Sequence, residues 1–143
     1  MLCPYCSNET KVLESRLIDS SVRRRRECLD CSNRFTTYEK AIFHLTVRKK
    51  DGREQPFDVN KMTESLRKAC SKASEDSILA MSKNIETKLL AKKKSLLTTK
   101  EIGHWVLHEL KKFDKIAYVR FASIHKRIED PRVLKKEVSL IVK

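Results

Sequence analysis

The chain has 143 residues, of which 40% are hydrophobic and 36% charged, and its formal net charge is +13. That length holds one average domain or two small ones, and so basic a balance favours polyanionic partners such as nucleic acid, nucleotides or an anionic membrane surface. Gly52 and Gly103 are the only glycines, which excludes a Gly-rich phosphate loop, and no stretch approaches the about 18 apolar residues of a membrane span.

No apolar export signal follows Met1, so the chain is expected in a reducing cytoplasm, where paired cysteines point to metal or catalysis more than to disulfides. Cys3-x-x-Cys6 and Cys28-x-x-Cys31 are two such pairs, separated by 21 residues. A CxxC turn presents two sulfurs from one knuckle, and two knuckles complete a tetrahedral four-cysteine zinc site. The segment between them predicts a β-hairpin turning near Asp19-Ser20-Ser21, the plan of a zinc ribbon. A thioredoxin-like redox motif would need one CxxC at a helix start in a βαβ unit, and neither is present. Four cysteine ligands leave no open position for a catalytic water, so one structural Zn²⁺ per chain is expected. It should supply the folding energy that some forty residues cannot bury.

Residues 1–43 hold eight Lys/Arg and six Asp/Glu, so four thiolates and one Zn²⁺ bring the metallated ribbon close to neutral. Its positive charge is therefore local. Arg23, Arg24, Arg25 and Arg26 run consecutively into the second knuckle. In a strand alternate members face opposite sides, so at least two should point outward together, with Arg16 on the partner strand as a neighbour. Arginine forks suit phosphates and guanine edges, which predicts a DNA- or RNA-binding edge; the bland alternative is a solvated basic strand.

Beyond residue 43 the pattern changes. Alternating apolar residues from Ile42 to Val47 predict a strand, Asp51-Gly52 a tight turn, and a return strand should run to about Phe57. A first helix carries Met62, Leu66, Ala69, Cys70 and Ala73 on one face, capped by Asp58 or Asn60. Ile78, Met81, Ile85 and Leu89 stripe a second, and `KLLAKKKSLL` reads as a basic loop between helices. Thr98 and Glu101 form a capping box ahead of Ile102, Trp105, Val106, Leu110 and Phe113. Asp114 caps a fourth helix with Ala117, Phe121, Ile124 and Ile128 inward; Pro131 ends it, and a last helix carries Leu134, Val138 and Ile141. The fold class is α+β. Residues 1–43 form a small four-cysteine ribbon, and residues 44–143 form a mainly helical domain with an N-terminal β-hairpin.

The blocks `CPYC`, `ESR`, `VRRRRECLDCSNRFTTYE`, `VRKKDGREQPFDVNKM` and `FDKIAYVRFASIHKRIEDP` together resemble the NrdR family of bacterial transcriptional repressors of ribonucleotide reductase genes. The resemblance spans nearly the whole chain. It implies a zinc ribbon that contacts double-stranded operator DNA and an ATP-cone that binds ATP and dATP, with nucleotide occupancy setting the size of a homo-oligomer and its grip on the operator. Carried over by position, Cys3, Cys6, Cys28 and Cys31 hold zinc and Arg23 to Arg26 contact DNA. The cone's hairpin motif falls on Val47, Arg48, Lys49, Lys50, Asp51, Gly52, Arg53 and Phe57, with Lys61 on the next helix. On composition alone that hairpin reads as a solvated turn. Given the resemblance, Lys49, Lys50, Arg53 and Lys61 could converge on a triphosphate. Tyr118 is a candidate to stack on or hydrogen-bond the nucleotide, with core packing an equal reading.

The sequence departs from the family at four places. `ESR` replaces `DSR`, and `RKKDG` replaces `KRDG` with its charge kept. Ser32 stands where a glycine commonly follows the second knuckle, with Asn33 able to take the left-handed conformation. His125 stands where tyrosine is common, a change that bears on nucleotide affinity or an inter-subunit contact.

Two other classes compete. A zinc-ribbon RNA-binding or polymerase-associated module would prefer single strands and ignore nucleotides. An enzyme such as an ATPase would need an acidic pair for Mg²⁺, a nucleophile with a base or a phosphate loop, and none is found. Cys70 reads as a small buried hydrophobe. Trp105 belongs to a core stripe, His104 and His108 form a solvated pair, and Lys92, Lys93 and Lys94 form a wet loop.

Overall fold

The structure is a computed structural model that describes residues 1–142, and it divides between Phe43 and His44 into two compact units. In the first, β1 (Thr10–Ile18), β2 (Ser21–Cys28) and β3 (Arg34–Lys40) form one antiparallel sheet in that order. The predicted turn is in place: Asp19 adopts φ 52°, and the Ser21 hydroxyl donates to the Ile18 carbonyl at 2.9 Å. The sequence analysis did not anticipate β3. Its `RFTTYEK` lacks an apolar alternation and is a strand because its backbone pairs along β2, from Ser21↔Lys40 to Glu27↔Arg34. The unit has almost no apolar core. Cys3 and Cys28 are its buried residues, while Val12, Leu13, Leu17 and Ile18 stay exposed.

The second unit runs β4 (Thr46–Arg48), β5 (Glu54–Pro56), α1 (Val59–Ala69), α2 (Glu75–Ala91), β6 (Leu96–Thr98), α3 (Thr99–Phe113), α4 (Lys115–His125) and α5 (Pro131–Ser139). Its sheet has the order β5-β4-β6, antiparallel between β4 and β5 and parallel between β4 and β6. The basic loop expected after α2 is therefore only partly a loop. Lys88 to Ala91 still belong to α2, and Leu96–Thr98 form a strand too short to show a period. That pairing also fixes the first strand. Ile42 and Phe43 are exposed outside it, and the strand forms at Thr46–Arg48, where Val47 opposes Leu97.

The helices bury the stripes their sequences carry. Leu66 of α1, Ile85 and Leu89 of α2, and Leu110 of α3 are fully buried. A buried hydroxyl pair, Thr63 Oγ1 and Ser82 Oγ at 2.7 Å, joins α1 to α2. Each helix starts on a side chain that satisfies orphan amides: Asp58 accepts from Asn60 N, Asp114 from Ile116 N and Asp130 from Arg132 N. The Thr98–Glu101 capping box opens α3.

Four expectations fail in α3 and α4. Phe113 is 47% exposed and Ile124 80% exposed, because each falls at a helix end beyond the packed neighbours. Ile128 lies past the end of α4, which is Arg127-reversed: Arg127 adopts φ 52° and Ile128 N returns to the Ser123 carbonyl at 2.9 Å. Tyr118 and Ala122 fill the core in their place. Pro131 does not terminate α4; it occupies the first turn of α5, where its missing N–H costs nothing. Ala73 lies outside α1, beyond the Cys70 C-cap.

Candidate zinc centre, basic strand and anion cavity

The Sγ atoms of Cys3, Cys6, Cys28 and Cys31 all lie within 4.8 Å of one another. Cross-knuckle pairs Cys3–Cys31 and Cys6–Cys28 stand 3.7 and 3.4 Å apart. Tetrahedral zinc with bonds of about 2.3 Å separates its sulfurs by about 3.8 Å, so the set has the right size. Tyr5 N and Asp30 N each donate to the sulfur two residues earlier at 3.4 Å, and Asn33 Nδ2 donates to Cys31 Sγ at 3.3 Å. Donors aimed at sulfur suit thiolates, the form a metal requires. Both knuckles close on a left-handed residue, Ser7 (φ 61°) and Ser32 (φ 58°). Ser32 itself thus adopts the conformation assigned above to Asn33, which is freed to donate to Cys31. The four cysteines fit one structural Zn²⁺.

The register of the ribbon sorts its arginines. Arg16, Arg23 and Tyr38 are aligned across the sheet, and Glu14, Arg25 and Thr36 form the next row on the same face. Arg24 and Arg26 belong to the opposite face. There Arg24 pairs with Glu39, while Arg26 donates to Thr37 Oγ1 at 3.3 Å and Thr10 Oγ1 at 3.5 Å. Arg16 pairs with Glu14. Among the described residues, Arg23 and Arg25 have no side-chain partner.

In the second unit a cavity of about 410 Å³ opens beside the β4–β5 turn, lined by Lys49, Lys50, Asp51, Arg53, Thr99, Ile124, His125 and Arg127. Gly52 (φ +86°) makes the turn, with Lys49 N and Arg53 O 2.8 Å apart across it. Asp51 accepts from the Arg53 backbone amide at 3.1 Å and from its guanidinium at 2.7 Å, which together hold its carboxyl below the usual range. Arg53 is thereby partly neutralised, while Lys49, Lys50 and Arg127 have no acid partner among the described residues. Thr99 brings the first turn of α3, and its partial positive charge, to the same wall.

Two further cavities adjoin. One of about 180 Å³ shares Thr99 and is walled by Val47, Phe57, Lys61, Met62 and Phe121 among others. One of about 330 Å³ shares Ile124 and His125 and adds Lys68, Arg120 and Phe121. The structure thus gathers Lys49, Lys50 and Arg53 at one cavity and Val47, Phe57 and Lys61 at its neighbour. Arg48 faces neither: its guanidinium holds Glu54 at 2.8 Å. Tyr118 lines none of the three. It is 8% exposed and donates to Glu137 Oε1 at 2.5 Å, and burial with that bond pushes its hydroxyl up to about 12. Thr99 and Arg127 were missed by the sequence reading. Neither belongs to a motif, and Arg127 reaches the cavity only through the left-handed reversal after α4.

His125 stacks on Phe121 with centroids 5.4 Å apart and rings 17° from parallel. It lies on Gly103 so closely that a Cβ there would collide with the imidazole. Burial pushes its pKa below 6.5, with Lys50 and Lys126 adding to the effect. Cys70 is buried, and that burial pushes its thiol up. Trp105 is half-buried, with Lys88 5.1 Å from its ring centroid. Lys92 and Lys94 are drawn to Glu101.

A four-cysteine ribbon followed by a helical unit with a cationic, partly apolar cleft defines a zinc-ribbon and ATP-cone protein. Residues 1–39 match the model of the transcriptional repressor NrdR-like N-terminal domain, and residues 45–131 match the ATP cone domain. The chain is 41% identical over 145 residues to the transcriptional repressor NrdR of Finegoldia magna, covering 97% of each chain. It is 47% identical over 139 residues to that of Kosmotoga olearia, covering 91% of this chain and 86% of the relative. It is 43% identical over 135 residues to that of Chlamydia trachomatis, covering 91% and 88%. The chain belongs to the NrdR family of transcriptional repressors, regulators and not enzymes. Its ATP-cone marks a nucleotide as the regulatory ligand of the second unit. No helix among the described residues is long and apolar enough to cross a membrane.

Proposed function

We propose that this chain is a zinc-dependent, ATP- and dATP-sensing repressor that binds operator DNA upstream of ribonucleotide reductase genes. Residues 1–43 are the DNA-binding domain and residues 44–143 the nucleotide-binding and oligomerisation domain. Nucleotide occupancy changes self-association in the cytoplasm, and the oligomer that grips the operator is nucleoid-associated.

The observation that carries this assignment is the cavity of about 410 Å³ beside the hairpin turn, where Lys49, Lys50, Arg53 and Arg127 converge with the N-terminus of α3. Such a cluster without a Gly-rich loop suits a triphosphate held by point charges and helix amides. The adjoining space beside Val47, Phe57 and Met62 suits an apolar base. In the ribbon, Arg23 and Arg25 are the arginines left for phosphate or base contacts, with Arg16 and Tyr38 on the same face. Arg16, directly opposite Arg23, is paired with Glu14, so the two like charges are only partly relieved before a polyanion arrives.

The test is fluorescence anisotropy with a duplex from upstream of the host's ribonucleotide reductase genes and a scrambled duplex as control. It is run with ATP alone and then with added dATP, at fixed salt. We expect promoter-specific binding that changes with the nucleotide. Equal affinity for both duplexes, unmoved by nucleotide, would overturn the assignment and favour a general nucleic-acid-binding ribbon.

A further inference from the structure

His125 sits at the wall common to two cavities, stacked on Phe121 and fitted onto Gly103, a position that any side chain at residue 103 would deny it. α3, which it touches at Gly103, adds Thr99 but no charged side chain to either cavity; the charges around it come from the hairpin, from α1, and from α4 with the residues after it. Lys49, Lys50, Asp51 and Arg53 belong to the hairpin, and Lys68 belongs to α1. Arg120 belongs to α4, and Lys126 and Arg127 follow it in the chain. Asp51 is the one acid lining either cavity among the described residues, and it is taken up by Arg53. Glu137, the acid beside Lys126, is occupied by that lysine at 2.6 Å and by Tyr118 at 2.5 Å. By its own residues the cleft therefore offers an imidazolium cationic neighbours and no free carboxylate.

We infer that His125 is a proton-linked nucleotide ligand: binding a nucleoside triphosphate in this cleft drives proton uptake by its imidazole, so affinity depends on pH across the histidine range. This deepens the nucleotide-sensing assignment and rests on it. Without a nucleotide the neutral ring is favoured, because burial first, and Lys50 and Lys126 after it, disfavour a further positive charge. A polyphosphate anion seated between Lys50, His125 and Arg127 reverses that field. The imidazolium gains an opposite charge, and Nδ1, the nitrogen not pressed against Gly103, is the one left to donate to it. The sign follows by linkage: a group whose pKa rises on binding takes up a proton, so the complex is favoured as pH falls. A tyrosine substituted at this position would stay neutral across the same range and carry no such linkage.

The test titrates the full-length, zinc-loaded protein from about pH 5.5 to about pH 8 by imidazole NMR, with and without saturating dATP. Binding is recorded in the same samples by equilibrium dialysis. We expect the His125 resonance to titrate at higher pH with dATP than without it. Calorimetry in two buffers of different ionisation enthalpy should give a proton uptake larger in the native protein than in H125Q or H125Y. That difference removes the titration of the phosphate itself. Affinity should fall several-fold more steeply with pH in the native protein than in either variant, bounded by about tenfold per pH unit for one linked proton. If dATP binds and the His125 titration does not move, the proton linkage is wrong and the nucleotide assignment stands. If dATP does not bind, both fall.

Discussion

Removing one arginine at a time from β2 separates the two faces of the ribbon. Arg23 lies beside Arg16 and Tyr38 with no acid partner among the described residues, whereas Arg24 faces the other way and is held by Glu39. A charge-assisted contact to phosphate is worth about 1.5–3 kcal/mol, so Arg23→Gln should weaken promoter binding by roughly ten- to a hundredfold. It should also lower the slope of log affinity against log salt by about 0.9, the loss of one phosphate contact. Arg24→Gln removes a charge already compensated, and should change affinity by only about two- to threefold. Loss of fold cannot mimic this contrast. Arg23 has no attractive partner and faces Arg16, itself paired with Glu14, so Arg23→Gln removes no stabilising contact and should leave the ribbon folded. Anisotropy titrations at four salt concentrations, with thermal melts of both variants, supply the comparison. Equal losses for the two variants, or a larger loss for Arg24→Gln, would refute the assignment of the outward face.

Further outcomes follow from the geometry. Cys28→Ser, or stripping zinc with a chelator, should unfold residues 1–43 and abolish DNA binding while α1 to α5 keep their helical signal, because Cys3 and Cys28 are the ribbon's only buried residues; circular dichroism and metal analysis read both parts. Glu137→Ala removes the acceptor of both Tyr118 and Lys126 and should cost about 2–3 kcal/mol, a fall of roughly 10 °C or more in Tm for a unit of this size. The Lys126 bond first, and the Tyr118 bond second, hold the Glu137 carboxyl below its ordinary 4.5. Its stabilisation is therefore fully present above pH 4.5 and fades as pH falls through the lowered value, so native and Glu137→Ala melting curves should converge in acid. Arg127→Gln should weaken dATP binding by about tenfold with Tm unchanged, since Arg127 lines the cavity without an acid partner, whereas Lys93→Gln should leave it unaltered.

Features set by spacing or by local chemistry were readable directly. The two CxxC pairs, the Asp51-Gly52 turn, the Asp58 and Asp114 caps and the Thr98–Glu101 box each act within a few residues, and each is found as expected. What escaped depends on partners distant in sequence. β6 is three residues long and exists because Thr46–Arg48 lies alongside it. Phe113 and Ile124 carry the apolar period to a helix end where no neighbour covers them. At the candidate sites, the four arginines look alike in sequence, and only the register to Glu39 and Thr37 divides them. The hairpin lysines were assigned by resemblance, yet Thr99 and Arg127 join them through the chain's return at β6 and its reversal after α4.

Both candidate sites hold positive charge in excess of what nearby acids neutralise, but they solve the selectivity problem differently. The ribbon offers Arg23 and Arg25 on one face of its central strand, an open sheet face along which the proposed duplex would lie and where a mononucleotide would gain only one or two contacts. The cavity is walled by a hairpin turn, a helix start and the end of α4, which admits a compact triphosphate and excludes a duplex. On the proposed assignment each polyanion has its own address, and competition between them should be weak despite the net charge of +13. Their coupling then has to run through the protein. If dATP tightens operator binding by some factor, the operator must tighten dATP binding by the same factor. A nucleotide that binds equally well to the DNA-competent and DNA-incompetent states would shift nothing, however tightly it binds. On the proposed function, the quantity that would make this chain a sensor is thus not the affinity of the cavity, but the difference in affinity between its assembled states.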